Sequence, residues 1–318
     1  MSLTGLLKKE NSSHHAKELR VIITTLTPSK EKFKTLNNTP PFSNNAIFSA
    51  PYFFTDFRYA SISGTAFDYL ARILISKYTG NNLYKNRMGH YDFFAKNGLD
   101  IIDSPMITSK YNKSMFLIDD YFSGNIDGTE IIKTCIFLAY VESVARGGLN
   151  DFIIDSLFSP PQEEIINDLK KLGNTFYKSF IKPELIGRKK FIIYNPRYSE
   201  LTTSILGGID ADLLIGNTLY DFKTTKNNYY NLDHSMQMTG YYLFYLLDKA
   251  LSLKSILNKT YIKKLAFYKS RTGIVEYVDC SSFDKNMIKK SLKEIITLFN
   301  YCKIDSEIEK RLDDVINL

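Results

Sequence analysis

The chain has no tryptophan and only three cysteines, Cys135, Cys280 and Cys302, among its 318 residues. Three thiols cannot close a disulfide set and show no C-x-x-C spacing. They are also too few for a four-thiolate zinc or iron–sulfur centre, so they read as buried or idle thiols of a reducing compartment. No apolar run approaches the roughly 18 residues that span a bilayer. The Leu-Thr-Gly-Leu-Leu patch behind Met1 is too brief for a signal-peptide core. The expectation is a cytoplasmic protein with no membrane span. No G-x-x-x-x-G-K-[ST] loop is present, so the chain carries no evident ATP motor. There is no internal repeat and no low-complexity tract.

What is present is ordinary for a globular protein. Hydrophobic residues make up 44% and charged residues 24%, which excludes bulk disorder. Core bulk rests on single rings, 22 Tyr and 22 Phe. At this length folding buries about three quarters of the unfolded surface, so no staple is needed, and the length suits two units or one domain with large additions. Lys plus Arg exceed Asp plus Glu by 41 to 34, a net charge of +7. That excess modestly favours a polyanionic partner, although the lysines are spread as on a solvated surface.

Residues 27–50 are rich in Pro, Asn, Ser and Thr and read as a loop. A helix is expected after Ser63-Gly64, with Thr65 and Asp68 spaced like a capping box. A strongly apolar helix is expected over 130–146, ended by Gly147-Gly148. A more charged helix follows Pro160-Pro161, from about 162 to 181. The texture changes after Pro183. Strands are expected over 190–194, 208–215 and 218–224, a helix over 234–251, a hairpin over 264–278 and a helix over 283–301. The expectation is an α/β protein: a mainly helical N-terminal region, 1–184, and a mixed-sheet core, 185–318.

The informative stretch runs from Gly207 to Lys226. Taken as a hairpin, it puts Asp212 on one strand and Asp221 and Lys223 on the next. The latter two are two apart and therefore on one face. Two carboxylates converging on an apolar sheet repel each other, and a divalent cation removes the conflict. A lysine beside that cation can orient a water or stabilise charge on a phosphate. Gln237 and Tyr241, four apart, share one face of the following helix, and Gly240 between them is expected to allow close approach to the sheet.

Asp212, Asp221-x-Lys223 and Gln237-x-x-x-Tyr241, in that order, resemble the PD-(D/E)xK nuclease superfamily, with the RecB-like branch most similar. Asn195-Pro196 and Gly64-Thr65-Ala66-Phe67-Asp68-Tyr69 also look like members of that branch. The resemblance implies a restriction-endonuclease-like sheet core carrying a large helical N-terminal addition, and Mg²⁺- or Mn²⁺-dependent hydrolysis of DNA that leaves a 5′ phosphate. It implies that Asp212 and Asp221 hold the metal, that Lys223 positions the attacking water, and that Gln237 and Tyr241 brace the site or touch the nucleic-acid backbone. It further implies an acid or His on a preceding helix contributing to the metal site. Glu142 is the candidate, with an i,i+4 pair to Arg146 as the alternative; Glu163 and Glu164 are rivals. The four-cysteine iron–sulfur cluster of many relatives is absent. The chemistry fits repair or antiviral defence, with a helicase or defence-system protein as partner.

Asp68 with Arg72 is read as a structural i,i+4 pair, and Asp210 as a loop-side acid. His234 is placed at a helix start, and His14-His15 is read as a disordered pair. His90 is an unplaced histidine with a small chance of lying near the metal. Lys226, Lys269, Arg271 and Tyr241 are candidates for nucleic-acid contact. Lys263, Lys264, Arg188, Lys189 and Lys190 surround them, and Tyr229, Tyr230 and Tyr242 are available to stack bases. Two other readings are open: a catalytically silent nucleic-acid-binding subunit, and a nucleotidyltransferase or DxD sugar transferase built on Asp210-x-Asp212. The transferase reading leaves Asp221-x-Lys223 and Gln237…Tyr241 unexplained.

Overall fold

The computed structural model describes residues 3–8, 10–80, 93–181, 186, 191–209 and 211–317. His90, Arg188, Lys189, Lys190 and Asp210 lie outside the described residues. The first part of the chain holds α1 (Leu3–Leu7), α2 (His14–Leu26), β1 (Lys34–Thr35), α3 (Arg58–Thr79), α4 (Phe93–Ile102), α5 (Pro105–Ser123), α6 (Gly128–Gly147), α7 (Asp151–Phe158) and α8 (Glu163–Phe176). There follow β2 (Ile192–Tyr194), α9 (Glu200–Leu206), β3 (Leu213–Ile215), β4 (Thr218–Lys223), α10 (Leu232–Ala250), β5 (Lys264–Lys269), β6 (Ile274–Asp279), α11 (Lys285–Leu298) and α12 (Ser306–Ile316).

The six strands form one mixed sheet in the order β1-β6-β5-β4-β3-β2. β4 and β5 run parallel, joined through α10, and all other neighbours are antiparallel. The protein is therefore α/β. Strand side chains alternate between two cores. Leu213, Ile215, Tyr220, Phe222 and Tyr268 face the layer of α3, α6 and α8. Leu214, Leu219, Leu265, Phe267 and Val278 face α2, α10 and α11. The first core is held by interlocking rings: Phe176 lies 4.8 Å from Phe180, and Phe222 packs edge-on to Phe67, Phe176 and Tyr268. Such pairs add about 0.5–1.5 kcal/mol beyond their buried area.

Local signals explain most element ends. Asp127 accepts from the amides of Thr129 and Glu130 at the start of α6, and Ser199 caps α9 through the Thr202 amide. Two expectations change. α3 begins at Arg58, so Thr65 and Asp68 sit mid-helix and form no cap. The strand expected from residue 208 starts only at Leu213, because α9 ends on the left-handed Gly207 immediately upstream.

Contacts cross the division near residue 184 in both directions. β1 pairs with β6, and α1 and α2 pack on α10 and α11. In the other direction Arg271, just past β5, is 1% exposed and reaches Asp168 of α8 with two bonds, 2.9 and 3.1 Å long. It also donates to the Ala50 carbonyl, and Ser63 donates to the same carboxylate. Arg271 is thus an internal pin between layers and not the surface cation expected from sequence. No helix among the described residues is long and apolar enough to cross a membrane.

Removing one member of a buried ion pair strands the other charge. Arg271→Met is expected to lower unfolding stability by about 3–5 kcal/mol in urea denaturation. The double variant Arg271→Met/Asp168→Leu is expected to recover much of that loss.

Candidate active site

Tyr220 and Phe222 point into the aromatic core, which turns Asp221 and Lys223 to the opposite face of β4. The β3–β4 register pairs Leu213 with Tyr220, so one further step sets Asp212 opposite Asp221. Asp212 is fixed there twice. Its carbonyl accepts from the Asn195 amide at 3.0 Å, and its Oδ2 accepts from the Phe222 amide at 2.5 Å. The Lys223 ammonium stands 2.6 Å from Asp221 Oδ2 and donates to Gln237 Oε1 at 2.9 Å. Gln237 Nε2 in turn donates to the Tyr241 hydroxyl (2.7 Å) and to Thr4 Oγ1 (2.9 Å). Four of the residues singled out from sequence thus form one chain of contacts, with Asp212 beside it.

The helical layer adds charge to the same place. Burial first, then Asp212, with Glu142 and Asp221 adding, raises the Asp68 carboxyl well above the usual carboxylate range; Arg72 opposes them. Asp212 is pushed up to about 7, by burial and then by Asp221, against the pull of the Phe222 amide, Lys223 and Arg72. Asp68 is therefore part of the acid cluster, and the expected Asp68–Arg72 pair does not form. Arg72, 4% exposed, lies over the Tyr69 ring and donates to Asn195 Oδ1 at 2.7 Å. Asn195 adopts φ 44°, a left-handed conformation that Asn tolerates. It links Arg72 to the backbone of Asp212.

Glu142 is 5% exposed and lies near the cluster, with both oxygens engaged. Tyr69 donates to Oε2 at 2.6 Å and Arg146 to Oε1 at 2.7 Å. The i,i+4 alternative with Arg146 is formed. Asp68, by contrast, accepts no hydrogen bond among the described residues. Glu164 is occupied by the Thr55 amide, and Glu163 is exposed. Asp68, Arg72 and Asn195 are the site residues that sequence reasoning missed. The available signals were the family-like Gly64–Tyr69 and Asn195-Pro196 segments, and Asp68 four residues before Arg72, which reads as a structural pair.

The residue types suit a hard divalent cation. Asp221 Oδ2 is buried without a hydrogen-bond donor, because Lys223 approaches it as an ion pair off the hydrogen-bond direction. Three carboxyls repel one another beside it, and a cation would relieve that crowding. Among the described residues no three Asp, Glu, His or Cys side chains already close around a metal position. Asp212, Asp221 and the freer Asp68 are the residues that would hold one, with Glu142 adjoining.

The remaining candidates scatter. Lys226 and Tyr229 are exposed in the loop between β4 and α10. Tyr230 bonds to the Pro28 carbonyl. Tyr242 is buried beside Tyr245 and cannot stack on a base. Lys269 is not on the outer surface: it is 4% exposed, on the inner face beside Lys223. His234 lies in the first turn of α10, as expected, with burial pushing its imidazole down to about 3. Gly240 makes its close approach to Leu3 and Ile23 of the N-terminal helices and not to the sheet. A cavity of about 370 Å³ among α5, α6 and α7, lined by Lys110, Phe137 and Tyr140, shares no residue with the acids.

Comparison with protein-family models, curated proteins and solved structures returned no match.

Because the Asp212 carboxyl is raised in the folded state, the native protein holds its proton more tightly than the unfolded chain. Its contribution to stability is full below the ordinary Asp range and is lost as pH rises from about 4 to about 7. Asp212→Asn is therefore expected to raise the melting temperature in EDTA at pH 8, by roughly 2–4 °C per kcal/mol relieved, and to leave it unchanged at pH 4. Differential scanning calorimetry at the two pH values checks this.

Proposed function

We propose that the chain is a divalent-metal-dependent nuclease of the PD-(D/E)xK superfamily, RecB-like branch, with a restriction-endonuclease-like core and a helical addition that shares in the site. The observation that carries the reading is the placement of Lys223. Its ammonium lies between the Asp221 carboxylate and the Gln237 amide oxygen, at 2.6 and 2.9 Å, beside an Asp212 that burial and a neighbouring carboxylate destabilise as an anion. A D-x-K serving only as solvent-facing strand charge has no cause to lie inside the fold, crowded by acids and braced by Gln and Tyr.

Mg²⁺ or Mn²⁺ held by Asp212, Asp221 and Asp68 would supply Lewis-acid charge to a phosphodiester and lower the pKa of a water. The chain's own residues do the rest. Lys223 donates hydrogen bonds toward the attacking water and the phosphate oxygens, and its fixed amine keeps that water in line with the leaving oxygen. Gln237 accepts from Lys223 and so limits its rotamers, while Tyr241 and Thr4 hold the Gln237 amide. Arg72 and Asn195 fasten the Asp212 segment to α3. DNA as substrate follows from the resemblance.

Labelled single- and double-stranded DNA is expected to be cut with Mg²⁺ or Mn²⁺ and left intact in EDTA. Lys223→Ala and Asp221→Asn are each expected to lower the rate by about 10²–10³-fold. Equal cutting by wild type and Lys223→Ala, or cutting in EDTA, removes the mechanism. Binding without cutting turns the reading to a silent nucleic-acid-binding subunit. Comparing Asp68→Asn with Glu142→Gln assigns the helix acid, and the greater loss is expected for Asp68→Asn.

A further inference from the structure

The polar stripe on the α10 face of the sheet does not end at Lys223. The parallel register sets Lys269 of β5 directly beside Lys223, and β6 places Glu276 next to Phe267 on the same face. The Lys269 stem is buried against aromatic rings, its ammonium 5.2 Å from the Phe42 ring centre and 5.7 Å from that of Phe267. Among the described residues this ammonium donates no hydrogen bond. Its one ion pair, with Glu276 Oε2, is a loose 3.8 Å, and that oxygen is itself buried without a donor. Glu276 Oε1 is taken by the Phe42 amide at 2.6 Å. Opposite, His234 Nδ1 is buried and unpartnered, and both lysines bear electrostatically on its ring.

A buried ammonium is costly unless it is paired and hydrogen-bonded. Here the compensation is incomplete. Burial holds the Lys269 amine below its ordinary value and pushes the Glu276 carboxyl up to about 7, which makes Glu276 a poor counter-ion near neutrality. Lys223 is paired with Asp221 and braced by Gln237, whereas Lys269 beside it has only the loose Glu276 contact and the weaker pull of Asp221, so an anion whose oxygens reach both ammoniums would complete the compensation. Of the two side chains, Lys223 is 13% and Lys269 5% exposed, so the pair is reached from the Lys223 side.

We propose that Lys269 and Lys223 form a two-ammonium phosphate subsite, in which Lys269 contacts a phosphate group of a bound nucleic-acid strand next to the acid cluster. The identity of the strand rests on the nuclease reading; the anion site itself rests on the two lysines, His234 and Glu276.

Fluorescence anisotropy of a short labelled single strand, in EDTA so that no cleavage is read, tests it. Lys269→Met keeps the packed stem and removes the charge. Binding at low salt is expected to weaken about tenfold, and the slope of log K against log salt to shrink by about 0.7, the value of one lost phosphate contact on a single strand. Lys269→Arg is expected to retain most of the slope, and Lys290→Ala, on the exposed face of α11, to match wild type. Lys269→Met/Glu276→Gln leaves no unpaired buried charge and is expected to show the same loss with a native melting temperature, which separates the effect from misfolding. Wild-type affinity and slope in both Met variants, or no measurable binding by wild type, overturns the subsite. Wild-type binding that depends on Lys269, without metal-dependent cutting, keeps the subsite and overturns the nuclease reading.

Discussion

Charge crowding in a place of low polarity governs the centre of this molecule. Asp68, Asp212 and Asp221 are brought from a helix, a strand entry and a strand centre into one notch, where burial and neighbouring carboxylates oppose the ionisation of Asp68 and Asp212. Such an arrangement is costly to fold around. The surrounding structure reads as a set of partial remedies. Lys223 leans on Asp221, the Phe222 amide binds Asp212, and Arg72 lends charge to both Asp68 and Asp212. None of these fully neutralises the cluster. That uncompensated repulsion is the ground on which a cation is proposed for this place.

The sheet makes the crowding possible. Its two faces are assigned by alternation, and the aromatic face is packed tightly enough that Asp221 and Lys223 have only one side to occupy. The helical addition shares in the site. α3 and α6 supply Asp68, Arg72 and Glu142, and α8 is pinned to the sheet through Asp168 and Arg271. The site is therefore built by both halves of the chain.

Much of this was legible from residue order. Asp-x-Lys alternation fixes a common face once the segment is a strand, and a Gln and a Tyr four apart on a helix must share a side; both held. The placements that failed share one physical cause. Arg271, Lys269 and Tyr242 look like surface groups from sequence because cations and tyrosines usually are, and their burial depends on partners distant in sequence: Asp168, Phe42 and Phe283 respectively. Asp68 and Arg72 carry a local signal for an i,i+4 pair. The tertiary fold overrode it by offering Arg72 the Asn195 amide oxygen and leaving Asp68 among acids. Single-sequence periodicity sees spacing along the chain; it cannot see which distant charge completes a pair.

The amino-terminal helix has a temporal consequence. The Leu3 amide donates to the Gly208 carbonyl, on the segment that leads into Asp212, and Thr4 accepts from Gln237. Phe42 is likewise tied to Glu276, 234 positions later in the chain. Contacts of such long range form late, after the loops they close have been drawn together. The brace of Thr4 on Gln237 and the tie of Phe42 to Glu276 are thus completed only after the hairpin that carries Asp212, Asp221 and Lys223 can form.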